Sequence, residues 1–495
     1  MDTPRWVQDA IFYQIFPDRF ARSQRMPDIG FESWDSPPTL HGFKGGDLYG
    51  IAEKLDYLKD LGVNALYLNP VFASAANHRY HTYDYYNVDP LLGGNEALRR
   101  LLDQAHKRKM RVVLDGVFNH ASRGFWQFHH VLENGASSPY KDWFFFDEDR
   151  LNGKRPWGAY PGKEEQKALQ HGEDSLTAIG YRSWWNLPAL PKFNTNNRDV
   201  REFIFGVAER WLKFGIDGWR LDVPAEIDDD SFWQEFRRRV RAVNPEAYIV
   251  GEVWLEAQRW LKGDQFDATM NYLLTAGLLS FCGGTHLNMD EVNRVGGYQG
   301  RVHPNMQAEH FASHIEYMLG LYDMQVTRVQ FNLLDSHDTP RFLTCVRNDK
   351  AALKLAWSFL FTFPGAPCIY YGDEIGLDGS HDPDCRKAFP WDESKWNHDL
   401  RGYLKACIAL RKAHPALRAG EYKTIYAADG VFAFERSRGD ERLFIVMNAA
   451  ARARSLDLEN FTKKPRLIFG EAANLAVENN QLRLSLPPRS SVVLK

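Results

Sequence analysis

Short apolar segments alternate with amphipathic helical segments along most of this 495-residue chain, and this alternation limits the possible folds most strongly. Strand followed by helix is typical of parallel sheets, and eight repeats predict an α/β fold, a closed (β/α)8 TIM barrel. The predicted strands are residues 11–16, 63–68, 112–117, 216–221, 248–250, 266–270, 329–333 and 368–371. The predicted helices are residues 51–61, 95–109, 199–214, 231–243, 308–324 and 350–361.

Two departures from this alternation divide the chain into three predicted domains. Residues 121–198, after the third strand, form a long irregular stretch that predicts an inserted subdomain. Residues 416–495 replace the helical pattern with short alternating segments, which predict a C-terminal antiparallel β-sandwich. The barrel itself is then predicted to comprise residues 1–120 and 199–415.

Charge and cysteine usage limit the possible partners. The formal net charge is only -3 and both signs are mixed along the chain, so we expect a neutral substrate and no nucleic acid. No apolar segment approaches the roughly 20 residues that span a bilayer, so no membrane partner is expected either. The five scattered cysteines and a first segment without the features of a secretory signal predict reduced thiols and a cytoplasmic protein.

Carboxylate and imidazole side chains stand where four predicted strands end, and these ends form the functional face of a barrel. The four segments are Asp115-Gly-Val-Phe-Asn-His120, Gly218-Trp-Arg-Leu-Asp222, Gly251-Glu-Val-Trp254 and Leu334-Asp-Ser-His-Asp338. Cleavage of a glycosidic bond needs one carboxylate at the anomeric carbon and one protonated acid at the leaving oxygen. Neighbouring strands four and five can place such a pair about 5 to 5.5 Å apart, the spacing of retaining enzymes.

These four motifs, in this order, resemble the α-amylase family of glycoside hydrolases almost from end to end. Two further segments, Leu190-Pro-Lys-Phe-Asn194 and residues 364–376, are most similar to its cyclomaltodextrinase, neopullulanase and maltogenic amylase group, as is Asp382-Pro-Asp-Cys-Arg386. The resemblance implies retaining hydrolysis of α-1,4 glucosidic bonds, with α-1,6 bonds as a further option. The implied substrates are cyclodextrins, maltooligosaccharides, pullulan or starch.

The resemblance also implies a role for individual residues. Asp222 would be the nucleophile, Glu252 the general acid and base, and Asp338 the third carboxylate that holds and distorts the sugar. The implied substrate-binding residues are Arg220, His120, His337, Tyr80, Trp254, Glu226 and Arg386. Arg220, two residues before Asp222, would project to the same side of the strand and keep the nucleophile ionised.

Trp254 keeps two interpretations, Asp115 is assigned a structural role, and two positions depart from the group. Trp254 is either a wall of the sugar pocket or core packing, and Asp115 is interpreted as a buried structural partner. Family members usually carry Asp where this chain has His81, and Val-Ala-Asn-Glu where it has Val223-Pro-Ala-Glu226. The barrel also begins at once, without the N-terminal β-domain through which the group dimerises. We therefore expect a monomer, or an oligomer formed by another route.

No cofactor and no metal are expected, although many amylases bind calcium. The segment Ala21-Arg-Ser-Gln-Arg25 places cations where the closest relatives have calcium ligands, and Gly45-Gly-Asp47 is what remains of that set. Calcium takes six to eight oxygen ligands, so this loop should bind it poorly. A salt bridge from Arg22 or Arg25 to Asp47 is the alternative occupant.

Other functions remain open at this stage. An exo-acting α-glucosidase or a transglycosylase could use the same scaffold, and the two differ in pocket depth and in how well water competes for the intermediate. An inactive amylase-like binding module is disfavoured because all three acids are kept. The preferred substrate size, the balance of α-1,4 and α-1,6 cleavage and the degree of transglycosylation are left open.

Overall fold

Eight parallel strands form the centre of the computed structural model, which describes residues 2–158 and 160–495. They are β1 Phe12–Ile15, β2 Ala65–Leu68, β3 Arg111–Gly116, β4 Gly218–Leu221, β5 Tyr248–Gly251, β6 Ala268–Thr269, β7 Phe331–Asn332 and β8 Ala366–Tyr370. Their order in the sheet is β6-β5-β4-β3-β2-β1-β8-β7. A parallel bridge between Met270 and Phe331 joins the two edges. The sheet therefore closes, and the predicted barrel is confirmed.

Helices follow the strands and bury their apolar faces against the barrel. Those of the barrel are Pro17–Phe20, Leu48–Glu53, Leu55–Leu61, Gly94–Lys107, Arg198–Phe214, Asp230–Val243, Tyr272–Gly283, Met289–Val292, Ala308–Gly320, Met324–Thr327, Phe342–Cys345, Lys350–Thr362, His398–Ala413 and Pro415–Ala419. Local sequence sets their ends. Before helix Arg198–Phe214, the Asn197 side chain accepts hydrogen bonds from two backbone N–H groups. Gly215 ends the helix with a φ of 112°. No helix in the described ranges is long and apolar enough to cross a membrane.

Several elements were not predicted from the sequence, among them a strand pair and two helices, one of which is His398–Ala413. Strands Phe72–Ser74 and Thr82–Val88 pair antiparallel beside the mouth of the barrel, between β2 and β3. Helix Tyr272–Gly283 is buried at all of its positions, because it lies between the barrel and the C-terminal strands. A helix without a polar face shows no amphipathic period, so pattern analysis does not detect it.

The stretch between β3 and helix Arg198–Phe214 contains four short helices and few strand pairs. The helices are Trp126–Asn134, Glu148–Leu151, Lys163–Gln170 and Ser175–Ile179. An antiparallel bridge between His120 and Lys192 ties its far end to the residue just beyond β3. This stretch therefore stands directly over the C-terminal face of the barrel.

The C-terminal residues form two antiparallel sheets. Their strands are Glu421–Ala428, Val431–Arg438, Glu441–Asn448, Arg454–Glu459, Leu467–Phe469, Ala473–Glu478, Gln481–Leu486 and Ser490–Leu494. Five strands form one sheet and three form the other. Phe432 of the larger sheet packs against Phe281 and Phe311 of the barrel helices, so the two parts share an apolar core.

Candidate active site

One guanidinium group, that of Arg220, joins three carboxylates at the ends of β3, β4 and β5. Its Nη1 donates to Asp115 and to Oδ1 of Asp222, each at 3.0 Å. Its Nη2 lies 3.1 Å from Oε2 of Glu252. All four residues are buried. Arg220 thus brings together the two acids that the sequence predicts as nucleophile and general acid.

Glu252 is also held by two neutral donors. The backbone N–H of Val223 donates to Oε2 at 3.0 Å, and the indole N–H of Trp254 donates to Oε1 at 3.1 Å. Val223 has φ 37° and ψ 51°, in the left-handed region that β-branched residues avoid. The Trp254 ring stacks on Tyr272 with centroids 3.7 Å apart. Trp254 is therefore packed on one face while its N–H contacts the predicted acid.

Asp115 lies at the base of the site within a network of hydroxyl groups. Tyr67 and Tyr80 donate to its Oδ2 at 2.6 and 2.8 Å. The Tyr80 hydroxyl is also 2.6 Å from Nε2 of His337, and the two rings are parallel with centroids 5.4 Å apart. Nε2 of Gln14 lies 2.9 Å from Nδ1 of His337. Since the Gln14 amide is a donor, His337 carries its proton on Nε2 and donates toward Tyr80.

Asp338 stands apart from the other two acids. Its side chain is 32% exposed and lies 3.2 Å from Nε2 of His337. Nη2 of Arg386 is 3.4 Å from its carboxylate, while Nε of Arg386 donates to the His337 carbonyl at 2.8 Å. Nη1 of Arg386 pairs with Asp382 at 3.0 Å. Arg386, predicted to bind substrate, is therefore placed where it orients Asp338.

The protonation of the cluster follows from its burial. Burial raises the pKa of Asp222 well above its usual range, and the Arg220 guanidinium opposes that rise. Burial likewise raises the pKa of Glu252 and of Asp115. Arg220 therefore acts in the direction that the sequence predicts, toward an ionised Asp222, while burial acts against it. The raised pKa of Glu252 suits a general acid that must hold its proton near neutral pH.

His120 lies beneath a stack of aromatic rings. Burial lowers its pKa to about 3, so the imidazole is neutral. The Trp184 ring covers it at a centroid distance of 4.9 Å and an angle of 11°. Its Nε2 is buried without a hydrogen-bond partner among the described residues. A buried polar atom of this kind calls for a partner, and a sugar hydroxyl would supply one.

The remaining predicted residue, Glu226, lies at the edge of the site. It is exposed and sits on the short 3-10 helix Pro224–Glu226 that follows Asp222. Lys192 donates to its carbonyl at 2.8 Å and lies 3.2 Å from its carboxylate. Glu226 thus connects the inserted stretch to the end of β4.

Sequence analysis missed three residues of this network. Tyr67 and Asn69 lie at the end of β2, and Gln14 lies on β1. Asn69 accepts from Gln14 at 3.1 Å and donates to the Tyr80 hydroxyl at 3.1 Å. Polar side chains at two further strand ends were the available signal.

Several carbonyl oxygens of the loop after β1, where a calcium ion would bind, are already bound by cations of the chain. The Lys44 ammonium donates to the carbonyls of Ser33 and Ser36 at 2.6 and 2.8 Å. Nε of Arg22 donates to the Lys44 carbonyl at 3.1 Å. Carbonyl oxygens bound by cations of the chain itself do not fit a calcium ion, which needs six to eight free oxygens.

The carboxylate of Asp47 is engaged by the chain itself as well. Its two oxygens accept the backbone N–H groups of Ser23 and Gly50 at 2.7 and 2.8 Å. The alternative salt bridge from Arg22 or Arg25 to Asp47 is wrong, because the Ser23 amide of the loop and the Gly50 amide of helix Leu48–Glu53 occupy the carboxylate. Within residues 2–158 and 160–495, no group of three or more His, Cys, Asp or Glu is arranged to hold a metal.

Comparison with known proteins agrees with this geometry. The family profile "Alpha amylase, catalytic domain" matches residues 14–420, and "Maltogenic Amylase, C-terminal domain" matches residues 422–493. A cyclomaltodextrinase from a Bacillus species is 44% identical over 450 residues, which are 90% of this chain and 73% of that protein. The crystal structure of a debranching enzyme from Nostoc punctiforme has a TM-score of 0.88 and 46% identity, covering 100% of this chain and 99% of that one. Cyclic α-maltosyl-(1→6)-maltose hydrolase from Arthrobacter globiformis has a TM-score of 0.84 and 34% identity, with 100% of both chains covered.

Proposed function

Because this chain belongs to the α-amylase family of glycoside hydrolases, we propose that it cleaves α-1,4 glucosidic bonds, and α-1,6 bonds as well, with retention of configuration. The substrates are cyclodextrins, maltooligosaccharides, pullulan or starch. One observation carries the proposal. Arg220 binds Oδ1 of Asp222, whereas Oδ2 of Asp222 has no partner among the described residues. The nucleophile is thus fixed through one oxygen and free to attack through the other.

The first half of the reaction uses two acids on neighbouring strands. Oδ2 of Asp222 attacks the anomeric carbon while Glu252 gives its proton to the leaving oxygen, and a glucosyl ester forms on Asp222. Glu252, now a carboxylate, is stabilised by the Val223 and Trp254 N–H groups and by Arg220. It then takes a proton from water, which hydrolyses the ester.

Neutral donors and one further acid hold the sugar. His120 offers its unpartnered Nε2, and His337 and Asp338 lie side by side on the loop after β7. The exposed carboxylate of Asp338 accepts hydrogen bonds from hydroxyl groups of the glucose unit and favours distortion of the sugar ring. Uncharged imidazoles bind hydroxyls without competing for the protons that the acids must exchange.

The α-1,6 activity is supported by the structures that match over their whole length. Both have names that point to such bonds, one a debranching enzyme and the other a hydrolase of a (1→6)-linked cyclic maltosyl-maltose. We also propose a cytoplasmic location, which the five unpaired, buried cysteines support.

The stereochemical outcome tests the proposal directly. Proton NMR during cleavage of β-cyclodextrin, and separately of pullulan, should show the α-anomer of the product first. A 2-deoxy-2-fluoro glucosyl fluoride should label the peptide that contains Asp222. First release of the β-anomer, or a label on another carboxylate, would contradict the assignment.

A further inference from the structure

The exposed ring of Trp185 stands at the outer end of a stack that begins at His120. The bridge between His120 and Lys192 folds the chain back over the end of β3. Trp184 and Trp185 lie at the turn of this fold, on the short 3-10 helix Trp184–Asn186. The turn therefore rises from the floor of the site to the surface of the inserted stretch.

The three rings are nearly parallel. Trp184 covers His120 at 4.9 Å and 11°, and Trp185 covers Trp184 at 4.6 Å and 13°. The outer ring is 75% exposed, although an indole is among the side chains that proteins usually cover. A large flat apolar surface is thus presented to solvent in line with an imidazole of the site.

The backbone is strained where it presents this ring. Trp185 has φ 52° and Asn186 has φ 57°, both left-handed. Asn tolerates this region, whereas a bulky side chain such as Trp rarely adopts it. The Asn186 side chain holds the turn, because it accepts from the Ser175 N–H at 3.1 Å and donates to the Glu173 carbonyl at 3.2 Å. Strain held in place by its surroundings is typical of functional segments.

We propose that Trp185 is an outer binding platform for the glucan, on which a glucose unit beyond the cleaved residue stacks. The C–H groups of a glucose face pack well on an indole, and Trp offers the largest such surface. A chain leaving the site along the stack above His120 meets Trp185 at its end. The inference rests on the proposed function, since it requires a glucan in the site.

Kinetics on substrates of increasing length tests the platform. For Trp185→Ala, KM for maltoheptaose and amylose should rise roughly fivefold to tenfold with kcat unchanged, because one stacking contact is lost from binding. KM for an aryl α-glucoside, too short to reach the platform, should stay at the wild-type value. Trp185→Phe should fall between the two.

Trp126→Ala is the matched control. Trp126 is 58% exposed in the same inserted stretch, but its ring meets His130 and Tyr140 at its edge instead of stacking above the site. This variant should match the wild type on every substrate. In the Asp222→Asn background, maltoheptaose should quench tryptophan fluorescence less in the Trp185→Phe variant.

Three outcomes would overturn the platform. Equal losses on short and long substrates would mean that Trp185 only supports Trp184 and His120. Unchanged kinetics at every length would exclude a contact with glucan. If Trp185→Ala changed the sedimentation coefficient but not the dependence of KM on substrate length, the ring would be a self-association surface. These three outcomes are measured with a wild-type enzyme that cleaves the aryl glucoside. A wild-type enzyme inactive on every substrate would instead refute the proposed function.

Discussion

Two buried charge clusters at the mouth of the barrel are built in opposite ways. Around Arg220, one guanidinium faces three carboxylates. Around Asp18, in the segment after β1, two guanidinium groups face one carboxylate, with Arg19 at 2.7 Å and Arg79 at 3.6 Å. The first cluster has more carboxyl groups than cations, whereas the second is balanced, because Arg79 also pairs with the buried Asp89 at 3.0 Å.

The two clusters also differ in how fully their carboxylate oxygens are hydrogen-bonded. Both oxygens of Asp18 accept backbone N–H groups, from Lys44 at 2.9 Å and from Gly45 at 3.2 Å. Asp222 leaves one buried oxygen without a partner in the described part of the chain. A cluster that holds a loop in place uses every acceptor, whereas one that performs chemistry keeps an acceptor free at a cost in stability.

Asp222→Asn should have the largest effect on activity. An amide cannot form the glucosyl ester, so kcat on maltooligosaccharides should fall by roughly 10⁴-fold or more. A variant that kept more than a small fraction of wild-type turnover would remove Asp222 from the role of nucleophile.

The same variant should be more stable than the wild type, and this sharpens the contrast. Because burial raises the folded-state pKa of Asp222 above its unfolded value, the charged form is disfavoured as pH rises through the folded pKa. The gain in melting temperature of Asp222→Asn should therefore be small near pH 4 and larger near pH 8. A gain that shrinks with rising pH would show that Arg220 outweighs burial.

Glu252→Gln should come next. The amide cannot protonate the leaving oxygen, so turnover of maltooligosaccharides should fall by roughly 10² to 10⁴-fold. An aryl glucoside with an activated leaving group needs less protonation, and its cleavage step should be less affected. Equal losses on both substrates would argue against the acid role.

Asp18→Asn should affect stability more than chemistry. Removing this charge leaves the buried Arg19 guanidinium without its carboxylate, whereas Arg79 keeps Asp89, and the loss should cost about 3 to 5 kcal/mol of unfolding free energy. The kcat of the folded fraction should stay near that of the wild type. Asp28→Asn is the control, since Asp28 is 67% exposed and 3.9 Å from Arg22, and it should leave the melting temperature near that of the wild type. If Asp18→Asn folded normally but lost turnover, the two clusters would not be separate.

Trp254→Phe should shift a pH profile. The indole N–H lowers the pKa of Glu252, so its removal should move the basic limb of kcat/KM to higher pH. The limb moves to higher pH because Glu252 then keeps its proton up to a higher pH. A basic limb at the wild-type position would mean that the hydrogen bond at 3.1 Å does not act on the acid.

Chelation should have the smallest effect. Lys44 and Arg22 occupy carbonyl oxygens of the loop after β1, so dialysis against a strong chelator should leave activity and melting temperature unchanged within error. A fall of several degrees, restored by added calcium, would show that an ion stabilises this loop.

The barrel and its strand-end acids could be predicted because both depend on local sequence. Each strand is a short apolar run, and Asp222, Glu252 and Asp338 stand in motifs at the ends of such runs. Register errors of one or two residues do not change which strand end a residue occupies.

The contacts that shape the site could not be predicted. The N–H of Val223 reaches Glu252 only through a left-handed backbone, and Trp184 covers His120 across 64 positions of sequence. Neither leaves a periodic signal. Helix Tyr272–Gly283 was missed for another reason, because burial on every side removes the polar face on which pattern analysis depends.

The closing seam of the barrel lies between the third acid and the catalytic pair. Strands β6 and β7 have two residues each, and the bridge from Met270 to Phe331 joins them. Asp222 and Glu252 follow β4 and β5 on one side of this seam, whereas Asp338 follows β7 on the other. Local unfolding should begin where the fewest ladder bonds oppose it, so amides beside Met270 should exchange with deuterium before those of β3. Such an opening would separate the strand end that carries Asp338 from the strand ends that carry the catalytic pair.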